Sequence, residues 1–291
     1  MPRGTQPATI HPESPSAATR HGDDHRPVRD GRALVVIPTF NEAANVQAVV
    51  STTLEHVPAD ILIIDDDSPD GTGAIADAIA SADSRVSVLH RPGKSGLGRA
   101  YVDGMRWGLE RGYDYLIQMD CDASHDPRAA ADMLAQLEEA HVVVGSRYVP
   151  GGATVDWPLK RRIVSRIGSL YSRLLLRIPQ RDTTSGFKAW RSDLLRRIDL
   201  DEVRSSGYGF QVEMAFLAWN AGGVISETPI VFPNREAGDS KLSLGIVAEA
   251  LLLVLRLRVS RAPWRRISPM PLALEARLPE RHTVSDQRRA A

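Results

Sequence analysis

Short apolar runs alternate with stretches of helical periodicity from Arg32 to about Pro233. The apolar runs that are typical of buried strands are Ala33–Pro38, Asp60–Ile64, Arg85–His90, Tyr115–Met119 and His141–Val144. Between and after them, the spacing predicts helices over Glu42–His56, Gly73–Ala82, Gly98–Arg111 and Pro127–Ala140. Strands that alternate with helices form parallel β-α-β units. The pattern therefore predicts an α/β fold, a doubly wound and mostly parallel sheet with flanking helices.

Polar and acidic residues follow three of the predicted strands directly. The segment 39–42 follows the first strand, 65–68 the second and 120–122 the fourth. Ligands of doubly wound sheets bind beyond the carboxyl ends of the strands, so these segments are expected at one edge of the sheet. A single Asp after a strand is usually a turn or cap residue. Several carboxylates at one edge repel each other unless a cation lies among them, which favours a cation site.

The D-x-D sequence of Asp120 and Asp122 is the sharpest of these signals. Alternate residues of an extended segment point the same way, so both carboxylates can face one ligand. The chain has one cysteine, Cys121, and no clustered histidines. Hard oxygen ligands of this kind favour Mg²⁺ or Mn²⁺ over zinc. A lone D-x-D occurs in many proteins, and its position directly after a hydrophobic strand is what makes this one informative.

The single cysteine and the first thirty residues indicate in which cellular compartment the protein is expected. One cysteine excludes an intrachain disulfide and fits a reducing environment. Residues 1–30 are rich in Pro, Ser, Ala, His and Asp and contain no apolar signal-peptide core, so we expect a disordered N-terminal extension. These features predict a cytoplasmic protein.

Two apolar segments and a basic tail suit a membrane surface but also have ordinary explanations. Lys160–Ile178 carries apolar residues at helical spacing among arginines, and Leu242–Val259 is apolar but interrupted by Glu249. Each is either a packed helix of the domain or a helix at a membrane interface. From Arg256 onward, nine arginines face three acidic residues, an excess of six positive charges. No recognisable module with stacking aromatics supports a nucleic-acid role for the tail.

These boundaries divide the chain into four parts. We expect the extension over 1–30, a catalytic domain over 31–241, an apolar helix over 242–260 and a basic, disordered tail over 261–291. The longest apolar segment is too often interrupted by charge to be a good membrane span.

A series of motifs in fixed order carries a family resemblance. The motifs are Pro38–Glu42, Asp65–Thr72, Gly96–Tyr101, Asp120–His125, Gly145–Tyr148, Thr184–Phe187 and Arg235 through Lys241. The series resembles the polyprenyl- or dolichyl-phosphate mannosyltransferases (polyprenol monophosphomannose synthases) of the family 2 glycosyltransferases, over about residues 32–245. The resemblance implies a GT-A fold, a divalent metal and inversion at the anomeric carbon.

The resemblance also implies roles for individual residues. The donor nucleotide would contact Pro38, Phe40, Glu42, Asp65, Asp66 and Asp120. The metal would be held by Asp120, Asp122 and Ser124, and the acceptor phosphate and sugar by Arg147, Arg161 and Ser165, with Arg162 and Arg166 as rivals to Arg161. The catalytic set would be Asp122, Arg147, Arg235 and Lys241, the last two on a mobile loop over the donor diphosphate. Phe40 stands where tyrosine is common, and Ser124 where some relatives carry a metal-contacting glutamine.

The implied reaction transfers mannose from GDP-mannose to a polyprenyl phosphate, giving polyprenyl-phosphate mannose and GDP. A phosphate monoester is already an anion near neutral pH, so no general base is required. The enzyme would act as a peripheral protein on the cytoplasmic face of a membrane, and anchoring through a separate membrane protein is equally compatible. One alternative keeps the acceptor but uses a UDP-sugar such as UDP-glucose. Another is a non-catalytic subunit that binds a sugar nucleotide or a lipid phosphate.

Overall fold

The computed structural model describes residues 31–207, 209–234, 244–260 and 271–272. The extension 1–30, most of the tail 261–291, and Arg235 and Lys241 lie outside the described residues. The strands are β1 Ala33–Thr39, β2 Asp60–Asp65, β3 Val86–His90, β4 Tyr115–Gln118, β5 Val142–Ser146, β6 Ala153–Thr154, β7 Lys188–Arg191, β8 Ile225–Pro229 and β9 Val231–Phe232. The helices are α1 Val46–His56, α2 Thr72–Ala82, α3 Leu97–Glu110, α4 Pro127–Gln136, α5 Leu159–Leu176, α6 Ser192–Leu195, α7 Gly209–Asn220 and α8 Leu244–Ser260.

Seven strands form one sheet in the order β3-β2-β1-β4-β7-β5-β8. All neighbours pair in parallel except β7, which runs antiparallel between β4 and β5. β6 and β9 form a separate two-stranded sheet. The predicted fold class, a mostly parallel doubly wound sheet with flanking helices, is confirmed. The sequence pattern did not predict β7 and β8, because their sequences, KAWR and ISETP, contain more polar residues than is typical of buried strands.

The sheet is buried on both faces, which explains why β1 and β2 are continuous apolar runs. On one face, Val35 and Ile37 pack with apolar residues of α1 and α4. On the other face, Leu34 and Val36 pack with apolar residues of α3 and α7. Alternate residues of each strand therefore serve opposite hydrophobic layers.

Helix α1 begins at Val46 and not at Glu42, which corrects the predicted start. The backbone N–H of Glu42 donates to Thr72 Oγ1 at 2.9 Å, and that of Ala43 donates to Asp70 Oδ2 at 3.0 Å. Asp70 in the β2–α2 connection and Thr72 at the start of α2 thus hold the segment in a turn before α1 begins. Helix α4 ends at Gln136 instead of Ala140, because residues 137–139 close in tighter turns.

Helix α3 approaches the sheet closely at Gly104. An added Cβ there would clash with Val36 Cγ1 and stand 2.7 Å from Ile64 Cδ1. We expect Gly104→Ala to lower the free energy of unfolding by about 1–3 kcal/mol, because both neighbours are stiff β-branched residues in the packed core. Gly168→Ala in α5 is the matched control: an added Cβ meets nothing within 4 Å. Because alanine has a higher helix propensity than glycine, Gly168→Ala should raise the free energy of unfolding by up to about 1 kcal/mol. Urea unfolding of both variants checks the difference in sign, and equal effects would contradict the close packing.

Candidate active site

The three polar segments that follow β1, β2 and β4 meet at one edge of the sheet, as predicted. These strands are neighbours, and Thr39 lies opposite Asp65 in the β1–β2 register. Hydrogen bonds join the first two segments: Asp66 N donates to Thr39 O at 3.2 Å, and Asn41 N donates to Ser68 Oγ at 3.1 Å. The shared edge follows from the parallel topology, because all three strands end on the same side.

The D-x-D segment is held by two side chains, Tyr101 and His125. Tyr101 Oη on α3 donates to Asp120 Oδ1 at 2.7 Å, and the backbone N–H of Asp120 donates to His125 Nδ1 at 2.9 Å. The His125 ring stacks on Phe187, with ring centroids 4.5 Å apart. Burial raises the pKa of Tyr101 well above its ordinary value, with the Asp120 carboxylate acting in the same direction, so Tyr101 remains a hydrogen-bond donor to Asp120.

Asp122 and Ser124 form a tight turn. The backbone N–H of Ser124 donates to Asp122 Oδ1 at 3.1 Å, and its hydroxyl donates to the same oxygen. Ala123 between them has a φ of 56°, which sets the turn that brings the two residues together. Ser124 therefore orients the Asp122 carboxylate in this structure, and its predicted role as a third metal ligand stays a prediction.

The donor set at this edge fits a hard divalent cation. In the described part of the chain, no group of three or more His, Cys, Asp or Glu side chains could hold a metal ion. Mg²⁺ is commonly bound by one or two carboxylates together with substrate phosphates and water, so two aspartates are a sufficient protein contribution. Asp120 and Asp122 are the residues that would hold it.

The predicted nucleotide-binding residues lie along the ends of β1 and β2. Pro38 and Phe40 are half-buried, and Lys94 Nζ lies 3.8 Å from the centroid of the Phe40 ring. Glu42 is half-buried and its Oε2 accepts from Asn45 Nδ2 at 2.8 Å.

Asp65 and Asp66 are both buried and held by protein partners. Asp65 Oδ1 accepts from Ser68 Oγ at 2.6 Å. Asp66 Oδ1 lies 2.7 Å from Arg91 Nη1. Burial raises the pKa of Asp66, while the Arg91 guanidinium opposes that shift. These contacts make the two aspartates rigid parts of the edge, and their contact with a nucleotide stays a prediction.

Arg147 is a buried ion pair partner of Asp182. Its Nε and Nη2 lie 2.7 Å from Asp182 Oδ2 and Oδ1, and Nη2 also donates to Thr184 Oγ1 at 2.8 Å. The ring centroids of Trp157 and Phe232 lie 5.1 Å and 5.5 Å from its Cζ. The guanidinium is thus fixed in an aromatic setting, and these bonds do not use Nη1. Sequence reasoning did not find Asp182, although it lies two residues before the Thr184–Phe187 motif.

Ser165 joins the same network. Its hydroxyl accepts from Tyr148 Oη at 2.7 Å and lies 3.2 Å from Thr184 Oγ1, the atom that also contacts Arg147. Arg147 and Ser165, predicted together from the resemblance, are therefore linked through one threonine hydroxyl.

The three candidate arginines of α5 are placed differently. Arg161 lies one turn before Ser165, with its Cζ 3.7 Å from the centroid of the Trp157 ring. Arg162 instead donates to Thr154 on β6, and Arg166 lies beside the Tyr148 ring. Because Arg161 and Arg147 both contact Trp157, the geometry favours Arg161 over Arg162 as the second arginine of the cluster.

Arg235 and Lys241 cannot be placed, since both lie outside the described residues. Asn234, the last described residue before them, accepts from Arg161 Nη1 through its Oδ1 at 2.9 Å.

The model of the family described as Glycosyl transferase family 2 matches residues 34–203, and the chain belongs to this family. It is 50% identical over 226 residues to an undecaprenyl-phosphate mannosyltransferase of Micrococcus luteus, covering 77% of this chain and 93% of the relative. It is 44% identical over 249 residues to a polyprenol monophosphomannose synthase of Mycolicibacterium smegmatis, covering 83% and 94%. The resemblance predicted from the motifs is confirmed.

Solved structures show a related fold. A glucosyl-3-phosphoglycerate synthase of Mycobacterium tuberculosis, in complex with Mn²⁺, UDP and glucosyl-3-phosphoglycerate, superposes with a TM-score of 0.56 at 20% identity. The match covers 79% of this chain and 81% of that chain. At this level of identity the likeness concerns the fold alone, which is that of the GT-A glycosyltransferases.

Proposed function

We propose that this protein transfers mannose from GDP-mannose to a polyprenyl phosphate, giving polyprenyl-phosphate mannose and GDP. The observation that carries the proposal is the presence of the D-x-D edge and the buried Arg147 in one chain. The relatives of this chain at 50% and 44% identity are named undecaprenyl-phosphate mannosyltransferase and polyprenol monophosphomannose synthase. A divalent cation, Mg²⁺ or Mn²⁺, is the implied cofactor, and the related fold with Mn²⁺ and UDP supports it.

The donor side needs charge neutralisation more than acid–base chemistry. Negative charge grows on the departing nucleoside diphosphate, and a bound divalent cation supplies stabilisation of that charge. Asp120 and Asp122 would hold the cation, while Tyr101 and His125 keep the Asp120 backbone and carboxylate in place. The half-buried Phe40 ring would stack on the donor nucleotide, with Asp65 and Asp66 beneath it.

The acceptor phosphate is an anion, so its binding site needs positively charged side chains that are already in position when it binds. Arg147, Arg161 and Ser165 would bind the acceptor phosphate through charge-assisted hydrogen bonds. Arg147 would use Nη1, because Nε and Nη2 donate to Asp182 and Thr184. Asp182 holds the Arg147 guanidinium before any ligand binds, so its remaining N–H groups need not reorganise on binding. Arg235 and Lys241 would complete the charge around the donor diphosphate.

The lipid tail of the acceptor requires an apolar surface beside the arginines. The α5 apolar face consists of Leu159, Ile163, Ile167, Leu170 and Leu174, each between 47% and 69% exposed. Helix α5 contains five basic residues and no acidic residue. On α8, Leu252 and Val259 are exposed as well. A basic helix with an exposed apolar face suits the interface of an anionic bilayer, so we propose peripheral attachment at the cytoplasmic face. No helix among the described residues is long and apolar enough to cross a bilayer.

The donor is tested by supplying polyprenyl phosphate with each radiolabelled sugar nucleotide in turn, with Mg²⁺ or Mn²⁺ present. The proposal predicts that label passes into the lipid fraction from GDP-mannose at a rate at least tenfold above that from UDP-glucose. Faster transfer from UDP-glucose would show that the donor is a UDP-sugar, while the proposed acceptor would remain polyprenyl phosphate. Transfer from neither donor would contradict the proposed function.

The proposed membrane contact predicts an effect of polar substitutions on the α5 apolar face. We expect Ile167→Ser combined with Leu170→Ser to weaken binding to vesicles containing anionic phospholipid by roughly 10- to 100-fold, because two exposed apolar side chains lose their transfer into lipid. Vesicle co-sedimentation measures this. Leu97→Ser, which changes an exposed apolar residue on α3, is the matched control.

Activity of the double variant toward a short-chain, water-soluble prenyl phosphate should stay within about twofold of the original, since neither residue belongs to the proposed catalytic site. Unchanged vesicle binding of the double variant would contradict the proposed contact.

A further inference from the structure

A buried lysine lies directly behind the D-x-D edge. Lys188 is the first residue of β7, paired with Gln118 on β4 and Val144 on β5. Its side chain is fully buried, and burial lowers the pKa of Lys188 to about 7, with the Asp182 carboxylate opposing that shift. Burying an ammonium group is costly unless its donors are satisfied, so the surroundings of Nζ must compensate.

The acceptors around Lys188 Nζ fix a glutamine on α7. Nζ donates to Ser185 O at 2.6 Å and to Gln211 Oε1 at 2.6 Å, and a longer contact of 3.4 Å reaches Gln211 O. Three oxygen acceptors match the three N–H groups of an ammonium. Because Oε1 is held by Lys188, the amide nitrogen Nε2 must point the other way.

The amide nitrogen of Gln211 and a carboxylate oxygen of Asp120 both lie beside Gly186. Gln211 is 5% exposed, and within the described residues no acceptor lies in hydrogen-bonding reach of Nε2. A Cβ added to Gly186 would stand 3.5 Å from Gln211 Nε2 and 3.6 Å from Asp120 Oδ2. The absence of a side chain at Gly186 therefore leaves a small cradle between an amide donor and a carboxylate acceptor.

A hydroxyl group fits this cradle. A hydroxyl accepts one hydrogen bond and donates another, so it can bond Gln211 Nε2 and Asp120 Oδ2 together. A phosphate oxygen is an acceptor only and would face the Asp120 carboxylate with like charge. The cradle lies beside the carboxylate proposed to hold the cation, where the sugar next to the donor diphosphate would be.

We propose that Gln211 binds a hydroxyl group of the donor sugar, and that Lys188 is the positioning residue that aims its amide nitrogen. The inference rests on the proposed function in that it takes a sugar nucleotide as the donor. It adds a determinant for the sugar itself, separate from the residues that contact the nucleotide and the acceptor.

The first test separates sugar binding from nucleotide binding. Calorimetry with Mn²⁺ gives the affinities of the full chain for GDP-mannose and for GDP. Gln211→Glu keeps an oxygen for Lys188 but removes the amide donor, and should weaken GDP-mannose binding about 10- to 100-fold. GDP binding should change less than about twofold. Equal loss for both ligands, or no loss for GDP-mannose, would overturn the assignment.

The second test uses deoxy donors and the positioning residue. One deoxy-mannose analogue of the donor should bind the original protein more weakly, and that penalty should vanish in Gln211→Leu. Lys188→Met should lower the affinity for GDP-mannose relative to GDP in the same manner. Ser192→Ala is the control, since it removes a buried hydrogen bond to Tyr113 O that lies on the opposite edge of the sheet. Ser192→Ala should leave the ratio of the GDP-mannose affinity to the GDP affinity unchanged. A penalty that persists in Gln211→Leu for every analogue would overturn the inference.

The two proposals fail in different ways. Absence of mannosyl transfer to polyprenyl phosphate by the original protein would contradict the proposed function only. The ratio of sugar-nucleotide to nucleotide affinity still tests Gln211, with UDP-glucose and UDP as the second ligand pair. A sugar that adds no affinity in either pair would overturn the inference.

Discussion

Asp122→Asn is expected to lower the rate of sugar transfer by at least about 100-fold while leaving the fold intact. The substitution keeps the shape of the side chain, so Ser124 can still donate to the remaining oxygen. It removes one of the two negative charges that would hold the divalent cation, and with it the stabilisation of the departing diphosphate. Initial rates with a labelled donor, measured over a Mn²⁺ titration, check the effect.

Asp126→Asn is the matched control for this variant. Asp126 caps helix α4, its Oδ1 accepting from the backbone N–H of Arg128 at 2.9 Å. Asparagine is an equally good cap, so both the transfer rate and the melting temperature should stay close to the original values. If Asp122→Asn retained more than half of the original rate, the metal site would have to be removed from the mechanism.

Arg147→Met is expected to lower the free energy of unfolding by about 3–5 kcal/mol, because it leaves the carboxylate of Asp182 buried without its counter-charge. Both side chains are almost inaccessible, at 6% and 0% exposure. Combining Arg147→Met with Asp182→Leu should restore much of the stability, since the second change removes the uncompensated charge. Urea unfolding of the two single variants and the double variant measures the coupling between the residues.

An exposed ion pair serves as the control for the buried pair of Arg147 and Asp182. Arg106 and Asp201 form an ion pair whose aspartate is 87% exposed. Arg106→Met should cost less than about 1 kcal/mol, because exposed ion pairs are screened by solvent. If Arg147→Met and Arg106→Met lowered the free energy of unfolding by similar amounts, the prediction that burial makes the first pair more important for stability would be wrong.

The strands β1 to β5 could be predicted because a sheet covered on both faces needs continuous apolar runs. Their parallel order then predicted the meeting of 39–42, 65–68 and 120–122 at one edge. Strand β7 could not be predicted, because Lys188 and Arg191 make it look like an exposed segment although both are buried. Lys188 is compensated by Ser185 O and the distant Gln211, and Arg191 by Asp193 and the distant Leu272 O. The distant partners cannot be identified from a local pattern.

The amphipathic pattern of α5 left two interpretations open, a packed helix and a helix at a membrane interface. The apolar stripe does not pack in the core, since Ile163, Ile167, Leu170 and Leu174 are all exposed. Its contact with a membrane stays a prediction. Ile178, expected in the same stripe, is instead buried beyond the end of the helix. Periodicity identifies a stripe but not the medium that it contacts, because the small polar residues Ser169 and Ser172 can also face the protein.

Which arginine of α5 lies beside Arg147 could be judged only from the structure. In the sequence, Arg161, Arg162 and Arg166 are equivalent basic residues of one helix. In the structure, Trp157 is shared by Arg161 and Arg147, while Arg162 is occupied by Thr154. Tyr148 likewise lies beside both Arg147 and Arg166, so Arg166 stays a rival to Arg161. Trp157 and Tyr148 both precede the helix, so helical spacing carries no signal for them.

The most direct test of the proposed reaction is the identity of its product. Incubation of the protein with GDP-mannose, polyprenyl phosphate and Mn²⁺ should give a lipid whose mass equals that of the acceptor plus one hexose residue, together with an equal amount of GDP. Chelation of the metal should suppress both products. Release of free mannose and GDP without a glycosylated lipid, or no reaction with the metal present, would contradict lipid-phosphate glycosyl transfer by this site.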